Sequence, residues 1–205
     1  MNTDYCLSRR LFEWFRRIRH RCGYGVHSPF AFNLVTGVIY CRDEYYAYAP
    51  LSRQRKAWQG LLSEKDERLL FRLANAQKAD RIGMVGTADR RVEAYLRAAR
   101  PHARQTVYAS PVSLSELIAT CDFVYCSDFL QNCISADDIF LSNPVAVSSP
   151  ALIVCRSPHR NAASRKLWKA LCHAPSAVVT FDLYRFGLIY LYPNLNKQHY
   201  VINYF

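Results

Sequence analysis

The segment RIGMVGTADRR, residues 81–91, decides the fold class. A short apolar run at 81–85 leads into a turn at Gly86 and Thr87, and a helical pattern begins near residue 89. Parallel sheets are built from this unit of a strand, a turn and a crossover helix. The alternation continues along the chain, with strands predicted at 81–85, 106–109, 122–126 and 151–155 and helices near 89–100, 112–119, 135–141 and 161–173.

The segments on either side of this alternation have other patterns. Residues 1–78 are predicted to form a helical extension, and residues 79–205 a Rossmann-like domain. Near the end, 178–192 and 199–205 flank the turn residues 193–196, which predicts two antiparallel strands. We therefore expect an α/β fold with a mostly parallel sheet, antiparallel C-terminal strands and N-terminal helices.

A basic amphipathic helix is predicted at 8–21. Leu11, Phe15 and Ile18 recur at helical spacing, and six arginines surround them: Arg9, Arg10, Arg16, Arg17, Arg19 and Arg21. We expect the apolar face to pack on the sheet domain while the arginines stay in solvent. The alternative is that the arginines bind nucleic acid or an anionic membrane surface.

Three more helices are predicted within the extension. Ser28 before Pro29 is typical of a helix start, and so is Ser63 with Asp66 three residues later. A helix between these two is predicted at 53–62, after a stretch rich in tyrosine. Packing of these tyrosines beneath the helices, stacking on bases and a dimer contact are the alternatives for that stretch.

Composition indicates a folded, basic protein. Of its 205 residues, 51% are apolar, and 27 Lys and Arg against 16 Asp and Glu give a net charge of +11. Acidic partners are therefore plausible. No apolar run reaches the ~20 residues of a membrane span, and the first residues do not have the pattern of a secretory signal. The eight cysteines have no CxxC spacing, so we expect free thiols and a cytoplasmic protein.

Seven stretches, in one order along the chain, resemble a single family. They are GVHSPF at 25–30, YYAY at 45–48, LLFRLAN at 69–75, VGT at 85–87, DFV at 122–124, FDL at 181–183 and GL at 187–188. The chain resembles the class I S-adenosylmethionine-dependent methyltransferases, and within them a bacterial group of the catechol-O-methyltransferase-like branch. The resemblance implies a Rossmann-like fold and a methyl donor bound at the carboxyl ends of the strands.

The residues that this family uses for its cofactor are mostly replaced here. Its first strand ends in an acid and a glycine-rich turn, whereas this chain has Met84 in place of the acid, retains Gly86, and has Arg90 in place of the last glycine. A guanidinium there is expected to crowd the cofactor and to repel its cationic sulfur. The second strand is followed by Ala109 and Ser110 where the family has an acid for the ribose.

The connection after the second strand is also short. A strand and a further helix cannot fit between Ser110 and Cys121, because a βαβ unit takes ~30 residues. We therefore expect that the sheet lacks one edge strand, together with the loop that flanks adenine in the family.

The metal carboxylates of the family have no counterparts in this chain. Ser127 and then Asp128 follow one strand, and Arg156 and Ser157 follow the next, so we expect no bound metal. His27 and His159 are candidate general bases, but the sequence identifies no partner for either. Asp122 and Asp182, at strand ends, are expected to act as capping or ion-pair residues.

These departures lead to the following hypothesis. The chain is interpreted as a degenerate methyltransferase-like protein, a pseudoenzyme that acts as a binding or interaction module, with Gly86, Thr87, Ser110 and Asp128 as the residues that would contact S-adenosylmethionine if it bound. An active metal-independent methyltransferase is one alternative, and an anion or nucleic-acid binder using Arg90 and Arg156 is another. A protein partner or a homodimer is also open.

Overall fold

The computed structural model describes residues 7–19, 26–109, 111–127 and 150–204, and for residues 7–10 only the backbone. Its helices are α1 (Leu7–Arg16), α2 (Pro29–Leu34, continued by a π-helical turn at Val35–Ile39), α3 (Tyr48–Arg55), α4 (Glu64–Gln77), α5 (Arg90–Ala99), α6 (Leu114–Thr120) and α7 (Ala162–His173). Its strands are β1 (Arg81–Val85), β2 (Arg104–Tyr108), β3 (Phe123–Cys126), β4 (Ala151–Arg156), β5 (Val179–Asp182), β6 (Phe186–Leu191) and β7 (Gln198–Val201). The helix predicted at 135–141 lies outside the described residues.

Within the described residues, the strands form one sheet in the order β2-β1-β3-β4-β6-β5-β7. The first four of these are parallel, β6 is antiparallel to both β4 and β5, and β7 is parallel to β5. The predicted fold class is confirmed: the sheet is Rossmann-like and mostly parallel, with antiparallel pairing near the C-terminus. All of these strands except β6 end at the same side of the sheet, which we call the carboxyl edge.

The sheet ends at β2, as the short connection after this strand predicted. Between β2 and β3, the described residues 111–122 contain α6 and no strand of the sheet, and β3 pairs directly with β1. No described strand pairs with the outer side of β2, where Val107 is 52% exposed. The expected loss of one edge strand is therefore confirmed for the described residues.

The C-terminal strands differ in one respect from the prediction. The segment 178–192 is not one strand but the hairpin of β5 and β6, and β7 pairs with β5 in parallel rather than antiparallel fashion. The hairpin turns at Tyr184, whose φ of 66° is in the left-handed region. The Asp182 carboxylate accepts the Tyr184 N–H at 2.8 Å, so a side chain stabilises a turn that contains no glycine.

Most helix starts are those predicted from the sequence. Ser63 caps α4 by accepting the Asp66 N–H at 3.3 Å, and Ser28 caps α2. The middle helix is an exception, because it spans Tyr48–Arg55 instead of 53–62. Pro50 lies in its first turn, where the missing N–H of a proline removes no intrahelical hydrogen bond.

The sheet is covered on both faces. One apolar cluster joins α2, α3, α4 and α5 to one face, and a second joins α6 and α7 to the other. Tyr45 and Tyr48 pack against Phe71 of α4 with ring centroids 5.0 and 5.2 Å apart, whereas Tyr46 is 84% exposed. The packing alternative for the tyrosine stretch is thus the one observed for two of its rings.

The amphipathic segment does not pack as expected. Its apolar side chains are exposed, namely Leu11, Phe12, Phe15 and Ile18, whereas Arg17 is 1% exposed. The expectation that the apolar face covers the sheet domain is wrong, because a buried ion pair of Arg17, described below, turns the other side of the helix inward.

Two further observations concern the described residues alone. Their cysteines, at 41, 121, 126, 155 and 172, are free thiols. None of their helices combines the length and the apolar character that crossing a membrane requires.

We predict that Gly187→Ala destabilises the fold by about 1–3 kcal/mol, because overpacking a core forces its neighbours to shift. The new Cβ would lie 2.9 Å from Cε3 of Trp168 in α7 and closer still to two other ring atoms. Urea unfolding measures the change, and Trp168→Leu in the same background should restore part of it.

Gly37→Ala is the matched control, because nothing lies within 4 Å of a Cβ at that position. Its free energy of unfolding should be unchanged or slightly higher. An equal loss in both variants would contradict this account of how α7 packs on β6.

Candidate functional site

The glycine turn after β1 is formed as predicted. Gly86 has a φ of 97°, in the left-handed region that favours glycine. The Ser127 hydroxyl, at the end of β3, lies 2.8 Å from the Thr87 carbonyl oxygen and 3.0 Å from that of Val85. Ser127 therefore connects the turn to the neighbouring strand, at a position where the resemblance implied a metal ligand.

The described residues leave little space above this turn. The cavity there has a volume of about 10 Å³ and is lined by Met84, Gly86, Thr87, Ala88, Asp89, Val92, Glu93, Val107, Tyr125 and Ser127. Met84 and Tyr125 lie side by side on β1 and β3, and both are buried. A space of this size holds about one water molecule.

The predicted cofactor residues are only partly within the described chain. Gly86 and Thr87 line this small cavity, whereas Ser110 and Asp128 lie outside the described residues. The residues that do line it provide no carboxylate at the end of β2 that could bind a ribose diol. The cavity lined by these described residues is much smaller than S-adenosylmethionine, the cofactor that the resemblance implies.

The two arginines expected at this place are not what closes it. Arg90 is exposed at the first residue of α5, and neither it nor Arg156 lines the small cavity. The buried Met84 and Tyr125 line the cavity instead, and both belong to the apolar core on the α4 and α5 face of the sheet. Sequence periodicity places Tyr125 on a strand, but it does not tell that its side chain borders this cavity.

Arg156 lines a second and larger cavity at the carboxyl edge, which we call the arginine pocket. Its volume is about 330 Å³, and its lining residues are Leu61, Leu62, Arg156, Ser157, Arg160, Arg185 and Phe186. The ends of β4 and of the β5–β6 hairpin contribute the three guanidinium groups. Ser157, with a φ of 53°, donates its N–H to the Arg185 carbonyl oxygen at 2.8 Å and so joins the two elements.

The guanidinium groups of the arginine pocket differ in their partners. Arg185 forms an ion pair with Asp66 at 2.6 Å. Arg156 donates to the Ser127 carbonyl oxygen at 2.8 Å and has no carboxylate partner among the described residues. Within the described residues, the partner of its positive charge is thus a neutral carbonyl dipole.

Two buried carboxylates lie at the start of α4, and one of them, Asp66, pairs with Arg185 of the arginine pocket. Asp66 and Glu67 are both 0% exposed. Glu67 pairs with Arg55 at 2.7 Å and lies 4.0 Å from Arg91. Burial raises the pKa of Glu67, and the charge of Arg55 opposes that rise. Each acid pairs with an arginine through one oxygen, whereas Asp66 Oδ1 and Glu67 Oε1 are buried without a hydrogen-bond partner among the described residues.

A second polar cluster lies at the carboxyl edge beyond β6. The Asp182 carboxylate accepts hydrogen bonds from Arg17 at 2.9 Å and from the Tyr184 N–H at 2.8 Å. Its other oxygen lies 2.7 Å from Nε2 of His159. Burial alone would raise the pKa of Asp182, but the hydrogen bond and charge of His159 and the charge of Arg17 hold the pKa well below its usual value.

The sequence left His159 without a partner, and the structure provides one. His159 follows β4 and Asp182 ends β5, and both strands end at the carboxyl edge. This common edge is the signal that sequence reasoning had available and did not use. Asp182 is an ion-pair residue as predicted, and Asp122 accepts the N–H groups of Asp80 and Arg81.

The groove next to this cluster has no activated nucleophile among its lining residues. It has a volume of about 560 Å³ and runs between α7 and β7. Burial raises the pKa of its Cys172 to about 12, which keeps the thiol protonated near neutral pH. Burial also lowers the pKa of His199, whose Nδ1 lies 2.7 Å from the Thr180 hydroxyl. A thiolate mechanism therefore has no support here.

Metal coordination has no candidate site in the described part of the chain. There, no three side chains of His, Cys, Asp or Glu come close enough together to hold an ion. His27 is exposed just before the cap of α2.

Comparison with protein-family models and with curated proteins finds no match. Several solved structures are similar, among them two methyltransferases. The O-methyltransferase TomG from Streptomyces achromogenes, in complex with SAM, is 14% identical with a TM-score of 0.41, covering 73% of this chain and 90% of that one. The SAH-bound methyltransferase PaMTH1 from Podospora anserina is 12% identical with a TM-score of 0.37, covering 82% and 97%. Similarities of this size do not bear on activity.

We predict that Asp182→Asn destabilises the protein by about 3 kcal/mol, because it leaves the buried Arg17 without a full counter-charge. The pKa of Asp182 is lower in the folded state than the ~3.9 of an unfolded chain. The carboxylate therefore stabilises the fold fully above about pH 5 and loses this effect as the pH falls below about 4. Denaturant unfolding between pH 3 and pH 7 should show that the free energy of unfolding falls less steeply toward acid pH in the variant than in the wild type.

Asp80→Asn is the control, since Asp80 pairs with Arg100 while its side chain is 78% exposed. A pair this exposed contributes at most ~0.5 kcal/mol. If the free energy of unfolding falls equally with pH in Asp182→Asn and in the wild type, Asp182 is not the group that causes the loss of stability in acid.

Proposed function

We propose that this chain is a degenerate methyltransferase-like domain that does not bind S-adenosylmethionine and acts as a binding or interaction module. The observation that carries the proposal is the cavity of about 10 Å³ where the donor would bind. A nucleoside ligand needs a pocket of ~300 Å³ or more. Cofactor binding would therefore require the buried Met84 and Tyr125 to move.

The residues at the ends of β1 and β2 support the same proposal, although Asp89 and Glu93 also line the cavity. A methyl donor carries a cationic sulfur and a ribose diol, and carboxylates are the groups that bind both. Met84 stands where the family has one of these acids, and Ala109 follows β2 where it has the other. The exposed Arg90 adds a positive charge at the first residue of α5, close to where the donor would bind.

The first test is titration with S-adenosylmethionine in a calorimeter, with thermal shift as a second readout. We expect no binding heat and no rise in Tm up to millimolar donor. Gly86→Ala is the matched variant. A Cβ at this position strains the left-handed turn next to the donor position, and it does not occupy any pocket elsewhere in the protein.

A micromolar dissociation constant for the wild type that is lost in Gly86→Ala would overturn the proposal. The enzymatic alternative has its own test, which is transfer of a tritiated methyl group to components of a cell extract. Labelled product that depends on this chain would establish an active methyltransferase.

A second candidate function is anion binding, and the arginine pocket favours it. Three guanidinium groups line the pocket, and Arg156 has no carboxylate partner among the described residues. Guanidinium groups bind phosphate and carboxylate groups through paired N–H donors. The apolar wall of Leu61 and Phe186 suits a ligand with an apolar body next to its anionic group.

We predict that Arg156→Gln weakens binding of phenyl phosphate about tenfold, which corresponds to ~1.4 kcal/mol. The control is Arg104→Gln, which removes an exposed arginine at the opposite edge of the sheet and should leave the affinity unchanged. Calorimetry measures both, with phenol as the ligand that lacks the charge. Equal affinities for phenol and phenyl phosphate would exclude an anion site, and oligonucleotide binding that falls steeply with salt would favour nucleic acid.

A further inference from the structure

The helix α1 has an exposed apolar side. Leu11 and Phe15 of α1 and Ile18 in the turn that follows it lie at i, i+4 and i+7, and Phe12 extends the same stripe. Their exposed fractions are 57%, 64% and 42% for the first three and 66% for Phe12. We call these four residues the α1 stripe. An amphipathic helix of a globular protein normally turns such a stripe toward the core.

The opposite side of α1 is fixed to the protein by polar contacts. Arg17, just after the helix, reaches Glu13 at 3.3 Å and the Asp182 carboxylate at 2.9 Å. Asn203 donates to the Trp14 carbonyl oxygen at 3.5 Å. Rotating α1 to bury the stripe would take the Arg17 guanidinium away from its buried counter-charge. The outward direction of the stripe is therefore a consequence of this ion pair.

Arginines accompany the α1 stripe along its length. The segment 8–21 contains six arginines and one carboxylate, that of Glu13, which is already paired with Arg16 and Arg17. Arg16 and Arg19 are exposed beside the stripe. Long cationic side chains next to apolar ones allow a helix to lie in a lipid headgroup region with its charges near the phosphates.

We propose that α1 is an interfacial helix that binds this protein to an anionic lipid surface. The stripe inserts among the upper acyl segments, and Arg16 and Arg19 contact acidic headgroups. A helix of ten residues is about 15 Å long at 1.5 Å per residue, so it lies in the interface and does not span the bilayer. The net charge of +11 adds long-range attraction to such a surface.

The charges beside the α1 stripe favour a lipid surface, and not a second copy of the chain, as the partner that covers the stripe. Two α1 stripes that met face to face would bring their exposed arginines together, and no carboxylate of α1 is left to neutralise them. Like charges in contact oppose association. An anionic membrane supplies both an apolar phase and the negative charge that this surface lacks.

Flotation of the full chain with vesicles tests the proposal. We expect binding to phosphatidylcholine vesicles that contain 30% phosphatidylserine and at least tenfold weaker binding to pure phosphatidylcholine. The double variant Phe12→Ser and Phe15→Ser should lower the partition coefficient by about 30-fold or more, since each ring loses its apolar burial. Arg16→Gln with Arg19→Gln should lower it about tenfold at low salt.

Tyr46→Ser is the matched control, because Tyr46 is an exposed ring on a different part of the protein. It should bind vesicles as the wild type does, and thermal melts of all variants should coincide, since none of the replaced side chains is buried. Binding that is absent, independent of phosphatidylserine, or unchanged in the double Phe variant would overturn the proposal. So would a wild-type dimer in sedimentation equilibrium that dissociates in that variant, because a second copy would then occupy the stripe.

Discussion

The Asp182 carboxylate is the group on which the arrangement of the carboxyl edge depends. It ends β5 and holds three parts of the chain: Arg17 after the first helix, His159 after β4, and the N–H of Tyr184 in the next turn. An anion that is buried beside an arginine, a histidine ring nitrogen and a backbone donor has a partner on each side, and this is the condition under which a buried charge is tolerated. The hairpin, the loop after β4 and the amphipathic helix therefore share one electrostatic centre.

This centre also explains which parts of the fold the sequence could predict. The strand at 81–85 and the caps at Ser28 and Ser63 depend on neighbouring residues, and the structure has them where the sequence places them. The turn between β5 and β6 depends on a side chain–backbone hydrogen bond of Asp182 and not on a glycine, so periodicity predicted one long strand there. Turn preferences describe which residue types occupy the turn itself, so they do not reveal a turn that is stabilised by the side chain of a strand residue.

The candidate site was harder to predict because it depends on contacts over long sequence separations. The replacements at Met84 and after β2 are visible in the sequence, but the small volume of the cavity that Tyr125 helps to line depends on its neighbours in the sheet. The pairing of His159 with Asp182 could have been inferred from their common edge, whereas burial of Arg17 could not. An arginine in an amphipathic helical segment is ordinarily expected to be exposed to solvent. Arg17 is buried because its partner, Asp182, lies 165 residues away in the sequence, and that contact is not visible in the local pattern.

That separation has a consequence for the order of events during synthesis. While the ribosome is still translating the middle of the chain, Arg17 can pair only with the nearby Glu13, because Asp182 has not yet left the exit tunnel. The helix α1 thus emerges without its long-range ion pair and with its phenylalanines exposed, and it stays available to chaperones or to a nearby bilayer until β5 has been made. Docking of α1 at the carboxyl edge therefore follows the synthesis of β5, although α1 precedes every other described element along the chain.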